Sequence, residues 1–118
     1  MADLRLSHVA VDCRDARAVG RFWAEVLDYE LVDQSGDEIE IELAPKDGKG
    51  TNLLFVNVPE GKSVKNRIHF DLRPKDQAAE VERVKALGAT EVDIGQGDET
   101  WVVLADIEGN EFCVLRSL

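Results

Sequence analysis

The chain has 118 residues, enough for one domain with a real core and too short for several. With 44% hydrophobic and 32% charged residues it has the balance of a folded globular chain, and no apolar run approaches the ~20 residues of a membrane span. Fourteen basic against 24 acidic residues leave a net charge of −10, which repels nucleic-acid phosphates and anionic membranes and suits, if anything, a cationic ligand. The start carries no signal-like apolar segment, so a cytoplasmic location is expected. Cys13 and Cys113 have no CxxC spacing and read as free thiols.

Residues 6–13 form the first apolar run, read as a strand carrying His8. Asp15 then opens a helix whose Ala18, Phe22, Val26 and Leu27 share one face. Ile39, Ile41 and Leu43 alternate with glutamates as in a half-solvated strand. Residues 53–58 and 68–72 continue the strands, with turns marked at 35–37, 45–50 and 59–61. Asp76 opens a second helix with Ala79, Val81, Val84 and Leu87 inward, stopped at Gly88. Residues 91–94, 101–105 and 112–115 complete the strands, with turns at 95–97 and Gly109-Asn110.

The order repeats: strand, helix, three strands, twice. His8 and His69, Asp15 and Asp76, and Ala18 and Ala79 each stand 61 residues apart. A duplicated βαβββ module accounts for this, with modules of about 1–60 and 61–118 in a single domain spanning 1–118.

The first module, His8-Val9-Ala10-Val11-Asp12 followed by Asp15, Phe22-Trp23 and Val26-Leu27, resembles the opening of the vicinal oxygen chelate superfamily. This group holds glyoxalases, bleomycin-resistance proteins and extradiol dioxygenases. Trp23 stands for the usual Tyr and Asp28 for the usual Gly. Asn66 to Leu72, Ala86-Leu87-Gly88-Ala89 and the stretch from Ala105 to Phe112 are similar to the family's fifth strand, helix end and final hairpin, with Ile107 where Pro is common. The resemblance covers essentially the whole chain. It implies an α+β fold of two βαβββ modules forming an open, cup-shaped mixed sheet, often as a dimer, around a metal or ligand.

Strand alternation sets Ile68, Phe70 and Leu72 toward the second helix and Arg67, His69 and Asp71 toward the opposite face. By the same rule His8, Glu111 and Cys113 face away from the helices. Two imidazoles and a carboxylate suit a catalytic divalent metal, and the resemblance sets both His8 and His69 on ligand positions. Metal-binding relatives usually take their carboxylate four residues after the turn glycine. That place here is Cys113, and Glu111 lies two residues earlier, about 6–7 Å along the strand. The fourth-strand alternative, Asn52 to Phe55, holds no acid. Glu111 is thus third ligand or general base, or else a solvated strand-end charge. Cys113 lines the site, binds as a thiolate, or only packs. Each histidine could equally be a hydrogen-bonded structural residue.

Trp23 reads as core or dimer contact. Trp101 either stacks on a ligand or belongs to the core. Lys62, Lys65 and Arg67 form a basic cluster that clamps an anionic substrate or pairs with nearby acids. The expected function is a glyoxalase-like enzyme acting on an oxygenated small molecule with a divalent metal of unknown identity on His8, His69 and Glu111, and with Arg67, Trp101 and Cys113 toward substrate. The alternatives are a metal-free, ligand-sequestering protein of the bleomycin-resistance type and a dimer without chemistry. A homodimer is expected, and ligating histidines would bring their nitrogens within about 4 Å.

Overall fold

In the computed structural model, which describes residues 3–32, 40–92 and 100–118, the chain separates into two units, Met1–Gly61 and Lys62–Leu118. The first contains β1 (His8–Cys13), α1 (Ala16–Leu27), β2 (Tyr29–Leu31), β3 (Glu40–Pro45) and β4 (Asn52–Asn57). Its sheet has the order β1-β4-β3-β2, with β1 parallel to β4 and the other pairs antiparallel.

Helix α1 starts where Asp15 caps it, its carboxylate accepting from the Ala18 N–H at 3.1 Å. The helix lays Val19, Phe22, Trp23 and Val26 on the sheet, against Cys13, Leu43, Leu53 and Phe55. Each such side chain contributes about 1.5–3 kcal/mol on burial. Phe22 and Trp23 meet edge to face at 5.4 Å, so Trp23 is core. Gly20 lets helix and sheet close up: a Cβ there would lie 2.8 Å from Ile41 Cγ2. The helix ends on Asp28, which takes the left-handed conformation (φ 55°) that glycine more often supplies. Its carboxylate accepts from Lys46 at 2.7 Å.

The second unit contains β5 (Phe70–Leu72), α2 (Gln77–Ala86), β6 (Thr90–Glu91), β7 (Val102–Ala105) and β8 (Glu111–Val114). Its sheet order, β5-β8-β7-β6, matches the first, with β5 parallel to β8. Asp76 caps α2 as Asp15 caps α1, accepting from Ala79 N at 3.1 Å. Gly88 follows the helix at φ 125°, and Ala89 N donates back to Val84 O. Phe112, Val114 and Leu104 form the core beneath Val81 and Val84. The chain is therefore α+β, built of two βαβββ modules. No helix among the described residues is long and apolar enough to cross a membrane.

Several expectations need correction. The first strand begins at His8, and Leu6 stays outside the sheet, exposed. The strand β2 had no pattern of its own to announce it. Ile68 is 78% exposed and precedes β5 rather than lying under α2. The cause is its neighbour: β8 begins at Glu111, just after a tight turn, so the chain before His69 has no strand to pair with. On α2 only Val81 and Val84 are buried; Ala79 and Leu87 are exposed, because the inward stripe is two residues long. Ile39, the turn at 35–37, Asp93, Ile94 and the turn at 95–97 lie outside the described residues.

Candidate functional site

The face of the second sheet turned away from α2 carries a cluster of ionisable side chains. Asp71 on β5 stands directly across from Cys113 on β8. Continuing that register one step past Phe70 sets His69 across from Glu111. His69, just before β5, lies two residues from Asp71, and its Nδ1 is 3.0 Å from Asp71 Oδ1. With Nδ1–H donating to that carboxylate, Nε2 carries the ring's lone pair. The Cys113 thiol donates to the same carboxylate. One donor atom from each of His69, Asp71 and Cys113 falls within 4.8 Å of the others. Cys113 is buried while His69 and Asp71 are exposed. Burial, and then the Asp71 charge, push the Cys113 thiol above its ordinary pKa, with Lys65 pulling weakly the other way.

Glu111 has a different set of partners. Its Oε2 accepts from Lys62 Nζ at 2.7 Å and its Oε1 from the Asn66 backbone N–H at 2.7 Å. The two side chains are only 19% and 11% exposed, for Lys62 and Glu111 respectively. Burial alone would raise the Glu111 carboxyl, but Lys62 and the Asn66 N–H outweigh it and hold the pKa below the usual value. Of the basic cluster, Lys62 is therefore paired with an acid, whereas Arg67 is exposed and makes no ion pair among the described residues.

The turn before β8 positions Glu111. Asp106 is 4% exposed, and its Oδ1 accepts from the backbone N–H of Glu108 and of Asn110, each at 2.9 Å. Asn110 Nδ2 adds a bond to Oδ2 at 3.0 Å. Gly109 takes φ 89°, which the tight reversal requires. Trp101, 36% exposed, precedes β7. Since Val102 pairs with Val114 and Ala105 with Glu111, Trp101 stands at the opposite end of this sheet from His69.

In the first unit His8 also faces away from its helix. Its Nδ1 lies 3.1 Å from Ser7 Oγ, and its backbone pairs with Asn52. Asn52 Nδ2 donates to Glu42 Oε2 at 3.0 Å. Sequence reasoning did not single out Asp71, Asn52 or Glu42 as site residues. For Asp71 the signal was there, in its alternation with His69. The Asn52–Glu42 pair depends on the β3–β4 register, which no local pattern carries.

The paired βαβββ modules, with His8 opening β1 and His69 immediately preceding β5, define a recognisable class of fold. Residues 8–115 match the glyoxalase-like domain family, and the chain belongs to it, within the vicinal oxygen chelate superfamily. Among solved structures, a glyoxalase/bleomycin resistance protein/dioxygenase family enzyme from Burkholderia phytofirmans PsJN is 22% identical, with a TM-score of 0.74 over 98% of this chain and 100% of that one. The genomically encoded fosfomycin resistance protein FosX from Listeria monocytogenes, complexed with Mn(II) and sulfate ion, is 18% identical, with a TM-score of 0.73 over 100% of this chain and 95% of that one. FosX from Mesorhizobium loti is 20% identical, with a TM-score of 0.70 over 100% of this chain and 94% of that one. At these identities the likeness is one of fold. No curated protein sequence matches the chain.

Proposed function

We propose that the protein is a glyoxalase-like enzyme that uses a divalent metal ion to act on an oxygenated small molecule. The observation that supports this most is the convergence of nitrogen, oxygen and sulfur donors from His69, Asp71 and Cys113 on one sheet face. Such a donor set fits a first-row divalent ion, and its imidazole and carboxylate are open to solvent. The Mn(II) bound by the FosX neighbour is consistent with a divalent ion in the family. When bound, the ion supplies a Lewis acid that stabilises negative charge on a substrate oxygen.

The protein's own groups do the rest. His69 supplies an imidazole nitrogen. Glu111, held ionised, serves as third ligand or general base, and in either role it must first exchange Lys62 for the ion or the substrate proton. The released Lys62 ammonium, with Lys65 and Arg67, then faces an anionic or electron-rich substrate. Cys113 lies on the same face as Asp71 and joins the proposed substrate-facing set, whereas Trp101, at the far end of the sheet from His69, falls outside it. His8 is the corresponding imidazole of the first unit, and its replacement tests whether it serves the same ion.

Neither Cys13 nor Cys113 is in a disulfide, which fits the reducing cytoplasm, and residues 1–118 act as one domain. Leu6, Val64 and Ile68 are exposed apolar side chains that a second copy would cover, so a homodimer in solution is part of the proposal. Sedimentation at micromolar concentration tests that point.

One observation favours the second reading, a metal-free protein that sequesters a ligand: both Glu111 oxygens are already engaged. Metal analysis of protein purified without tag or chelator separates the two. A stoichiometric transition metal, lost in His69→Ala, is the expected result. No uptake after soaking with Mn(II), Zn(II) or Co(II) overturns the enzyme reading in favour of sequestration.

A further inference from the structure

We infer that Cys113 is itself a metal ligand, so that His69, Asp71 and Cys113 form a thiolate-containing site selective for borderline-soft ions such as Zn(II) and Co(II) over Mn(II). This deepens the metal reading above and rests on it. Asp71 and Cys113 come from adjacent strands of a single unit, in a register that sets one across from the other, and His69 immediately precedes β5. Asp71 is the shared partner of His69 Nδ1, at 3.0 Å, and of the Cys113 thiol, so in the tautomer protonated at Nδ1 two hydrogens point at its carboxylate. A cation among the three donors takes the place of those two hydrogens. The sulfur–metal bond forms as the thiol proton leaves to solvent, and the imidazole turns from donor to ligand.

The dimensions agree with that exchange. The donor atoms lie within 4.8 Å of one another, and two bonds of ~2.1 and ~2.3 Å span at most about 4.4 Å. Small side-chain rotations of His69 and Asp71, both exposed, make up the difference against a Cys113 fixed in the sheet. The carboxylate that would otherwise complete an oxygen-rich site suited to Mn(II) is Glu111, and Lys62 and Asn66 hold it. A nitrogen, one oxygen and one sulfur suit zinc or cobalt, whereas manganese prefers oxygen ligands. The other thiol, Cys13, lies in the first unit and points at Val56 O at 3.6 Å. No metal cluster is found around it among the described residues.

The test uses the full chain, reduced and stripped with chelator, then titrated with Co(II). One equivalent is expected to produce a thiolate-to-cobalt charge-transfer absorption in the near ultraviolet. Zn(II) should abolish that absorption at equimolar concentration, and Mn(II) should not. Cys113→Ser should remove the absorption, and Cys13→Ser should keep it. Asp71→Asn should weaken Zn(II) binding by at least the ~10–100-fold that follows loss of a ligand's hydrogen-bonding partner. Circular dichroism of each variant separates lost binding from lost fold, and Asp71→Asn gives a second route should Cys113→Ser unfold. Co(II) bound at one equivalent without the absorption, or an absorption that survives Cys113→Ser, overturns the thiolate site and leaves a metal-assisted enzyme standing. No uptake of any of the three ions overturns both.

Discussion

Replacing Lys62 by Met should destabilise the protein by about 2 kcal/mol at pH 7. The substitution keeps the apolar stem and removes the ammonium that donates to Glu111 at 2.7 Å. A hydrogen bond to a charged group contributes ~1.5–3 kcal/mol. Exposed ion pairs contribute ~0–1 kcal/mol, and breaking fully buried ones costs ~3–5 kcal/mol. With both side chains largely covered, this pair falls between, and Glu111 would be left with the Asn66 N–H. The pH dependence carries a sharper signature. Folding lowers the Glu111 pKa, so the unfolded chain binds more protons there. The pair's stabilisation is complete above the unfolded carboxyl value of ~4.3 and is lost as pH falls through the folded value. Urea unfolding followed by circular dichroism at pH 7 and pH 3 should show wild type well ahead of Lys62→Met at the higher pH and the gap narrowed at the lower. A gap of the same size at both, or one below about 0.5 kcal/mol at pH 7, would refute the account of Glu111 as an ionised, lysine-held carboxylate.

Three further substitutions probe the framework. Gly20→Ala should cost about 1–2 kcal/mol in urea melts, because the new methyl meets Ile41 Cγ2 at 2.8 Å and Cβ at 3.3 Å, outweighing a helix-propensity gain of ~1 kcal/mol. Asp28→Gly relieves a left-handed non-glycine residue but removes the bond from Lys46, so it should stabilise by at most about 0.5–1 kcal/mol, read as a rise in the urea midpoint. Asp106→Ala should destabilise by about 2–3 kcal/mol and, by loosening the turn that places Glu111, should increase hydrogen exchange at the Glu108 and Asn110 amides.

What could be seen in the sequence were the features with local causes. Asp15 and Asp76 announced their helices through capping, and alternation pointed to the burial of Cys13, Leu43 and Phe112. The chain-wide repeat also followed from simple spacing. What escaped depended on distant partners. Ile68 belongs to an apolar run, yet its burial was decided by where β8 begins, more than 40 residues on. The Lys62–Glu111 pair joins residues equally remote, so charge patterning offered two readings of the basic cluster with nothing to choose between them. Asp71 alternates with His69 in plain view, but only the β5–β8 register brings Cys113 to it. Sites made by pairing strands are written in registers, and registers are set by turns and packing rather than by either strand alone.

The parallel pairings of the two units differ in one respect that bears on how such a molecule diverges. In the first unit His8 pairs with Asn52, 44 residues on; in the second Asp71 pairs with Cys113, 42 residues on. Between two copies of one ancestral segment, that is a difference of two residues in the chain joining the paired strands, and Leu53 and Phe55 in one copy and Phe112 and Val114 in the other stay buried. An odd slip would have turned the last strand inside out, exposing Phe112 and Val114 and driving Glu111 into the core. An even slip keeps every apolar residue on its own side and exchanges only which polar residues become neighbours. Paired insertions or deletions in the connecting loops are thus a mutational route by which one duplicate acquires a new set of reactive neighbours while its interior passes unchanged to its descendants.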